Sequence, residues 1–211
     1  MTLTEPDWLK HSVIIIITLV MLSACKTTTK EQIDALPDNY SQLSNEEKLS
    51  MLTRWELSGK IAIISPKERQ SAYLNWEQLE DQTDFKLTNL LGVSLLKLNA
   101  DSQSASLEAD GKLYEDESKE ALIYRTTGWL LPLDNLIFWI KGASNEQDII
   151  ELNQQGLPRK ISPSCFRCAG WQITYANYKQ LDGLWLPHAI TVANFDQETT
   201  LKFRVDEWLR K

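Results

Sequence analysis

The strongest constraint on the fold is a hydrophobic period of two that recurs from Trp55 to Trp208. In residues 55–64, apolar side chains such as Trp55, Leu57 and Ile61 alternate with Glu56 and other polar or small neighbours. This spacing is typical of a strand with one buried face. Similar short segments lie at residues 72–76, 85–87, 93–100, 105–109, around 113, 149–152, 157–161, 170–178, 185–192 and 200–208. We therefore predict a mainly β fold, an antiparallel meander of about eleven strands that curls into a barrel or half-barrel.

The middle of the chain follows a helical period instead. The pattern predicts a helix at residues 118–126 that ends at Gly128. Pro132 is then predicted to lie in the first turn of a second helix, where proline is favoured. Apolar residues follow at the i, i+3, i+4 and i+7 positions of a second helix, namely Leu133, Leu136, Ile137 and Ile140. Gly142 is its predicted end, and Phe138 and Trp139 make its other face apolar too. Such a helix must be covered on both sides or must line an apolar space.

A shorter helix is predicted before the first strand. Residues 44–47 (SNEE) have the spacing of a capping box, which favours a helix start at Ser44 and a helix running through Leu49 and Leu52.

The N-terminus has the pattern of a lipoprotein signal peptide. An apolar run at residues 13–22 is too short to cross a membrane as a permanent helix, and Leu22, Ser23, Ala24 and Cys25 follow with the spacing of a lipobox. We expect cleavage after residue 24 and a lipid anchor on Cys25, whose sulfur accepts the diacylglyceryl group. The alternative is an ordinary signal peptide with a chance cysteine.

The predicted organisation has three parts. Residues 1–24 are the signal peptide, 25–38 a polar lipidated tether, and 39–211 one domain with a helical segment at about 118–142. In the usual sorting rule for bacterial lipoproteins, an aspartate directly after the lipidated cysteine favours retention at the inner membrane. Lys26 occupies that position, so we expect a protein on the outer membrane that faces the periplasm.

The composition excludes several classes of function. A net charge of −7 argues against binding to nucleic acid and against electrostatic adsorption on anionic lipids. His188 lies in an alternating strand without a recognisable nucleophile motif, and no phosphate-binding loop or carboxylate pair stands out. We expect no catalysis, no cofactor, no metal and a monomer.

Cys165 and Cys168 are the two cysteines that remain after the anchor. Zinc would need four ligands, and the chain offers no second pair. In the periplasm a structural disulfide is the favoured interpretation, with free thiols and a redox pair as alternatives.

An apolar turn at residues 89–93 (NLLGV) lies between two predicted strands. Such a turn is either tucked under the domain or in contact with an apolar partner, and the residues alone favour the buried position.

Several short motifs follow one another along the chain. They are residues 55–62 (WELSGKIA), 74–76 (LNW), 88–92 (TNLLG), 128–142 (GWLLPLDNLIFWIKG), 170–173 (GWQI) with Tyr175 and Tyr178, 186–187 (LP) and 201–202 (LK) with Trp208. In this order behind a lipobox they resemble the LolB family, outer-membrane receptors of the lipoprotein-localisation system.

The resemblance implies an unclosed antiparallel β-barrel with helices as a lid over an apolar cavity. It also implies that the protein accepts lipoproteins from the soluble carrier LolA and releases them into the inner leaflet of the outer membrane, without nucleotide. The partners are then LolA, client lipoproteins with their acyl chains, and outer-membrane lipid.

Residue roles follow from the same resemblance. Leu91 aligns with an exposed loop leucine that engages the bilayer, and Leu90 stands where the family usually has proline. Candidates for the acyl cavity or the lid are Leu133, Leu136, Ile137, Ile140, Trp139, Trp55 and Trp76. Cys165 and Cys168 are outside the family pattern. The alternative function is an anchored periplasmic carrier of a hydrophobic ligand, or an envelope scaffold.

Overall fold

The computed structural model describes residues 41–165 and 168–211, with the backbone alone at residues 42–44. The helices are α1 (Gln42–Met51), α2 (Lys119–Thr127) and α3 (Leu133–Trp139). The strands before α2 are β1 (Arg54–Ile64), β2 (Arg69–Leu79), β3 (Gln82–Thr88), β4 (Ser94–Ala100), β5 (Ala105–Ala109) and β6 (Lys112–Asp116). Those after α3 are β7 (Ile149–Leu152), β8 (Pro158–Ser162), β9 (Trp171–Leu181), β10 (Leu184–Asn194) and β11 (Thr199–Arg210).

These strands form one antiparallel sheet in the order β6-β5-β4-β3-β2-β1-β11-β10-β9-β8-β7. Two meanders, β1–β6 and β7–β11, therefore join where β1 pairs with β11. The sheet is not closed, since β6 and β7 are its two edges. The prediction of about eleven antiparallel strands in an unclosed sheet is confirmed.

Gly59 allows the two meanders to approach closely. The register of β1 against β11 shifts between Ser58 and Gly59. A Cβ atom at position 59 would lie 2.1 Å from the carbonyl oxygen of Arg204, so no larger residue fits without moving β11.

A row of aromatic rings crosses this junction on the inner face of the sheet. Trp55 contacts Trp76 and Trp208 edge-on, with ring centroids 5.2 and 5.3 Å apart, and Trp76 contacts Phe85 at 5.4 Å. Edge-to-face packing of large rings adds to the free energy gained by burying them. Through the Trp55–Trp208 contact, the row packs the two meanders together at their junction.

The helical segment between β6 and β7 has the predicted start and stop signals. The Ser118 hydroxyl accepts a hydrogen bond from the Ala121 amide at the start of α2, and Gly128 ends that helix in the left-handed region at φ 76°. Helix α3 ends at Trp139, and Gly142, at φ 80°, stops the turn that follows. Pro132 is the residue just before α3 and not its first residue.

Helix α1 differs from the prediction at its start. It begins at Gln42, so Ser44 lies inside the helix and the predicted capping box is wrong. Asn45 instead uses its buried side chain for a tertiary contact, accepting a hydrogen bond of 2.9 Å from the Trp185 amide. Within the described residues, no helix is long and apolar enough to cross a membrane.

Candidate functional site: an apolar cavity beneath two helices

A cavity lies between the inner face of the sheet and the segment that contains α2 and α3. The sheet contributes inward-facing side chains of β1–β4 and β11, which are Ile61, Ile63, Trp76, Thr83, Phe85, Leu87, Leu96, Leu98, Leu201 and Phe203. The helical segment contributes Lys119, Ile123, Trp129, Leu131, Leu133, Leu136 and Ile137. We call residues 119–139 the lid.

The cavity lining is apolar with two exceptions. The Thr83 hydroxyl donates to the Gln78 side-chain oxygen at 2.8 Å, and the Lys119 ammonium pairs with Asp134 at 2.5 Å. Both of these groups have protein partners. The buried indole N–H of Trp76 has no partner among the described residues, and the rest of the lining is aliphatic or aromatic and suits hydrocarbon.

In this state the cavity is small. Its volume is about 40 Å³, whereas pockets that hold drug-sized ligands measure roughly 300–1,000 Å³. A long acyl chain therefore fits only if the lid moves away from the sheet.

The predicted cavity residues divide into two groups. Trp76, Leu133, Leu136 and Ile137 line the cavity. Trp55, Trp139 and Ile140 are buried in the core outside the lining, each at most 1 % exposed.

The C-terminal end of the lid is tied to the core. The Trp139 ring packs against the Trp171 ring, with 6.0 Å between the centroids. The backbone carbonyl oxygen of Trp139 accepts a hydrogen bond of 2.9 Å from the Tyr175 hydroxyl. Burial raises the pKa of Tyr175 well above its usual value, so this phenol stays protonated and keeps donating. These contacts fix the lid to the core near residue 139.

The middle of the lid is held to the sheet by a contact that is easier to break. The Trp129 indole donates to the Glu68 carboxylate in the β1–β2 turn at 3.0 Å, and both side chains are partly exposed. The Lys119–Asp134 pair joins the starts of α2 and α3, and the Asp134 side chain is 72 % exposed. Because Leu122 and Ile123 keep α2 buried against the sheet, we expect the lid to open around Trp129.

The apolar β3–β4 turn is exposed. Leu90 and Leu91 are 81 % and 86 % exposed, and Val93 is 57 % exposed. The Asn89 side chain holds the turn by accepting hydrogen bonds from the Leu91 and Val93 amides at 2.9 and 3.0 Å. The turn thus presents leucines to the surroundings on a defined backbone, unlike the buried position that the residues alone favoured.

Cys165 and Cys168 form a disulfide, with Cα atoms 5.1 Å apart. Cys168 is buried and Cys165 packs against the core. The neighbouring Ser164 hydroxyl donates to the Gln147 carbonyl at 2.6 Å, so the bridge lies in a loop that is fastened to the segment following the lid. His188 is partly buried, and its Nδ1 lies 2.9 Å from the Val205 carbonyl oxygen.

The predicted signal peptide at residues 1–24, the tether at 25–38 and their sites Leu22, Ser23, Ala24 and Cys25 lie outside the described residues.

Sequence reasoning did not identify the polar contacts around the cavity. Glu68 and Trp129 are 61 positions apart, and nothing local in either segment indicates their pairing. Lys119 opens α2 like any surface lysine, and only the fold brings it to the cavity. The alternation in β3, β4 and β11 predicted that their inward residues are buried. It did not indicate that these residues border a cavity.

Comparisons with known proteins agree with this geometry. A family model described as "Outer membrane lipoprotein LolB" matches residues 53–208. The outer-membrane lipoprotein LolB of Tolumonas auensis is 33 % identical over 195 residues, which cover 92 % of this chain and 94 % of that protein. The LolB of Aeromonas salmonicida is 34 % identical over 191 residues, covering 90 % and 92 %.

A solved structure supports the fold alone. A LolA superfamily protein from Nitrosomonas europaea superposes with a TM-score of 0.53 at 10 % identity, covering 82 % of this chain and 94 % of that one. The sequence match and the lidded, unclosed sheet lead to one conclusion. The chain belongs to the LolB family of outer-membrane lipoproteins.

Proposed function

We propose that the protein works in lipoprotein localisation at the outer membrane, as the acceptor that takes lipoproteins from the periplasmic carrier LolA and releases them into the inner leaflet. The observation that carries the proposal is the apolar cavity between the lid and the sheet, in a chain of the LolB family. In this role the acyl chains of the client occupy the cavity while its polypeptide stays outside.

The energetics favour such a cavity. Each methylene kept from water is worth about 0.8 kcal/mol, so a client with two or three acyl chains needs a continuous apolar path between carrier and membrane. The lid swings about its end near Trp139, the cavity enlarges, and the acyl chains replace the contacts of Leu131, Leu133 and Ile137 with the sheet. Transfer then runs toward the site of higher affinity and consumes no nucleotide.

Release into the bilayer is the role of the β3–β4 turn. Leu91, with Leu90 beside it, enters the hydrocarbon edge of the membrane and brings the cavity close to the leaflet that receives the client. A lipid on Cys25, followed by the tether at residues 25–38, keeps the domain on the periplasmic side of that membrane.

A transfer assay tests the acceptor role. The purified protein is mixed with LolA preloaded with a radiolabelled lipoprotein and recovered through an affinity tag, in the absence of ATP and of vesicles. We expect the label to move to the protein.

Two neighbouring lid residues provide a matched pair of variants. Leu131 lines the cavity, whereas Leu130 is 54 % exposed and is not part of the lining. Leu131→Asn places an amide among hydrocarbon and should lower transfer several-fold, whereas Leu130→Asn should not change it.

Label that stays on a competent carrier contradicts the acceptor role. The alternative, an anchored carrier of another hydrophobic ligand or an envelope scaffold, would then be examined by identifying the lipid that copurifies with the protein.

A further inference from the structure

The outer face of the sheet carries a group of cations near the β3–β4 turn. We call it the basic face, and its members are Lys60 on β1, Lys86 on β3, Lys97 on β4, and Lys202 and Arg204 on β11. These side chains alternate along their strands with residues that line the cavity, so they point away from it. The basic face and the cavity are therefore the two sides of the same strands.

The strand register brings like charges together on this face. Lys60 lies directly opposite Arg204, and Lys86 directly opposite Lys97. Like charges in directly opposite positions of an antiparallel pair destabilise the sheet. The fold therefore maintains two repulsive pairs that a neutral residue at either position would remove.

Local acids compensate these cations only in part. Lys97 is 3.9 Å from Asp84 and lies directly opposite Glu108 of β5, and Arg204 pairs with Asp206 on its own strand at 3.1 Å. The Lys60 ammonium lies over the Tyr73 ring, 4.6 Å from its centroid. Among the described residues, Lys86 and Lys202 form no ion pair.

Charge is separated along the strands. Toward the opposite end of the sheet, Glu56, four residues before Lys60, lies opposite Glu77. Glu77 in turn lies opposite Asp84, two residues before Lys86. Lys211 bridges Glu56 and Glu77 at 2.6 and 3.2 Å and holds the pKa of Glu56 below its usual value. On the outer face of β1–β3, cations therefore lie toward one end of the strands and carboxylates toward the other.

That end also carries the exposed apolar turn. Tyr73, whose ring Lys60 covers, pairs with Thr88, the last residue before the turn. Leu95, which follows the turn, is 42 % exposed. Lys86 and Lys97 therefore flank the leucines that project from the β3–β4 turn, and the other cations lie two and three strands from β3 on the same face.

We propose that the basic face binds the headgroups of anionic phospholipids while the β3–β4 turn enters the bilayer. An apolar tip flanked by lysine and arginine is the arrangement by which peripheral proteins bind anionic membranes, each cation near the surface adding about 1 kcal/mol. The headgroup phosphates neutralise both like-charged pairs, and the acidic end of the sheet is repelled from the surface. This inference rests on the proposed delivery function and adds the lipid class that delivery requires.

The experiment measures the approach of the sheet to the membrane. The lipidated protein carries Ser71→Cys, on the same outer face, labelled with a fluorophore and reconstituted into vesicles that contain a trace of headgroup-labelled quencher lipid. Ser71 is exposed and lies one strand away from Lys202 through Ala62. The disulfide leaves the introduced thiol as the reactive one among the described cysteines.

We expect stronger quenching on vesicles with phosphatidylglycerol than on phosphatidylcholine alone, and loss of the difference at high salt. In Lys86→Gln/Lys97→Gln the ratio of docked to undocked protein should fall at least about tenfold on phosphatidylglycerol. The control Lys112→Gln/Lys179→Gln removes the same charge from exposed positions on β6 and β9 and should behave as the parent protein.

Two results would overturn the inference. One is quenching that does not depend on phosphatidylglycerol or on Lys86 and Lys97. The other is a loss confined to transfer from LolA in solution, which would assign the basic face to an acidic protein partner. Because the quenching assay contains no client lipoprotein, it remains informative even if the acceptor function fails its own test.

Discussion

The ammonium of Lys141 donates a hydrogen bond of 2.7 Å to the carbonyl oxygen of Leu52, just past the end of α1. A second bond of 3.0 Å goes to the Leu49 carbonyl inside that helix. A cation at a helix C-terminus complements the helix dipole and the unpaired carbonyls there. Since Lys141 lies two residues after the end of the lid, this contact connects the end of the lid to the helix that precedes β1.

Lys141 should make stability depend on pH. The side chain is 2 % exposed, and desolvation lowers its pKa from 10.5 to about 8. Between pH 8 and 10.5 the unfolded chain binds more protons at this site than the folded protein does, so stability rises with pH in that window. Relative to Lys141→Met, the wild type should gain about 2 kcal/mol in unfolding free energy between pH 7 and 9.5. Denaturant unfolding at both pH values measures this, and a constant difference between the two proteins would contradict it.

The Glu68–Trp129 hydrogen bond should control how readily the lid opens. Glu68→Ala removes the acceptor without touching the cavity lining, so the lid segment around residues 128–136 should exchange its amide protons roughly fivefold faster, the equivalent of about 1 kcal/mol. Hydrogen exchange measured by mass spectrometry tests this. Lys67→Ala, in the same turn, is the control, and equal exchange in both variants would show that this hydrogen bond does not restrain the lid.

Removing the disulfide should cost stability but not function. The disulfide closes a short loop. The conformational entropy that this cross-link removes from the unfolded chain predicts a contribution of about 2 kcal/mol to the free energy of unfolding. Cys165→Ser/Cys168→Ala should therefore lower the midpoint of denaturant unfolding, and a reductant should lower the midpoint of the wild type by a similar amount. Transfer from LolA should persist at a temperature where the variant is folded. Loss of transfer in the folded variant would instead assign these cysteines a role in the reaction.

Many of the strands were predictable because they alternate between a buried and a more exposed face. β1 keeps this alternation over its whole length, from Trp55 through Leu57 and Ile61, and the structure has a strand there. The start of α1 was not predictable by the same means. Its capping-box spacing is local, whereas Asn45 is committed to a hydrogen bond with Trp185, 140 positions away.

The candidate site, too, was only partly predictable from the sequence. Leu133, Leu136 and Ile137 were marked by helical spacing, and all three line the cavity. The net charge of −7 argued against adsorption on anionic lipid, yet Lys60 and Arg204 become neighbours only through strand pairing. Composition gives only the net charge of the chain, whereas the register of the strands determines which charged side chains become neighbours.

The turn at residues 89–93 gives the sharpest prediction for delivery to the membrane. Leu91→Glu places a charge at the most exposed leucine of the turn, and a charge resists entry into hydrocarbon. The variant should still accept lipoprotein from LolA, because the cavity is unchanged, but insertion into vesicles should fall at least about tenfold. Leu113→Glu, at a leucine 66 % exposed on the edge strand β6, is the matched control and should insert normally. Both steps are followed with one radiolabelled client, first on the protein in solution and then in floated vesicles. Normal insertion by Leu91→Glu would remove the turn from the delivery step, and failure of both variants would show that added negative charge anywhere on the surface is the cause.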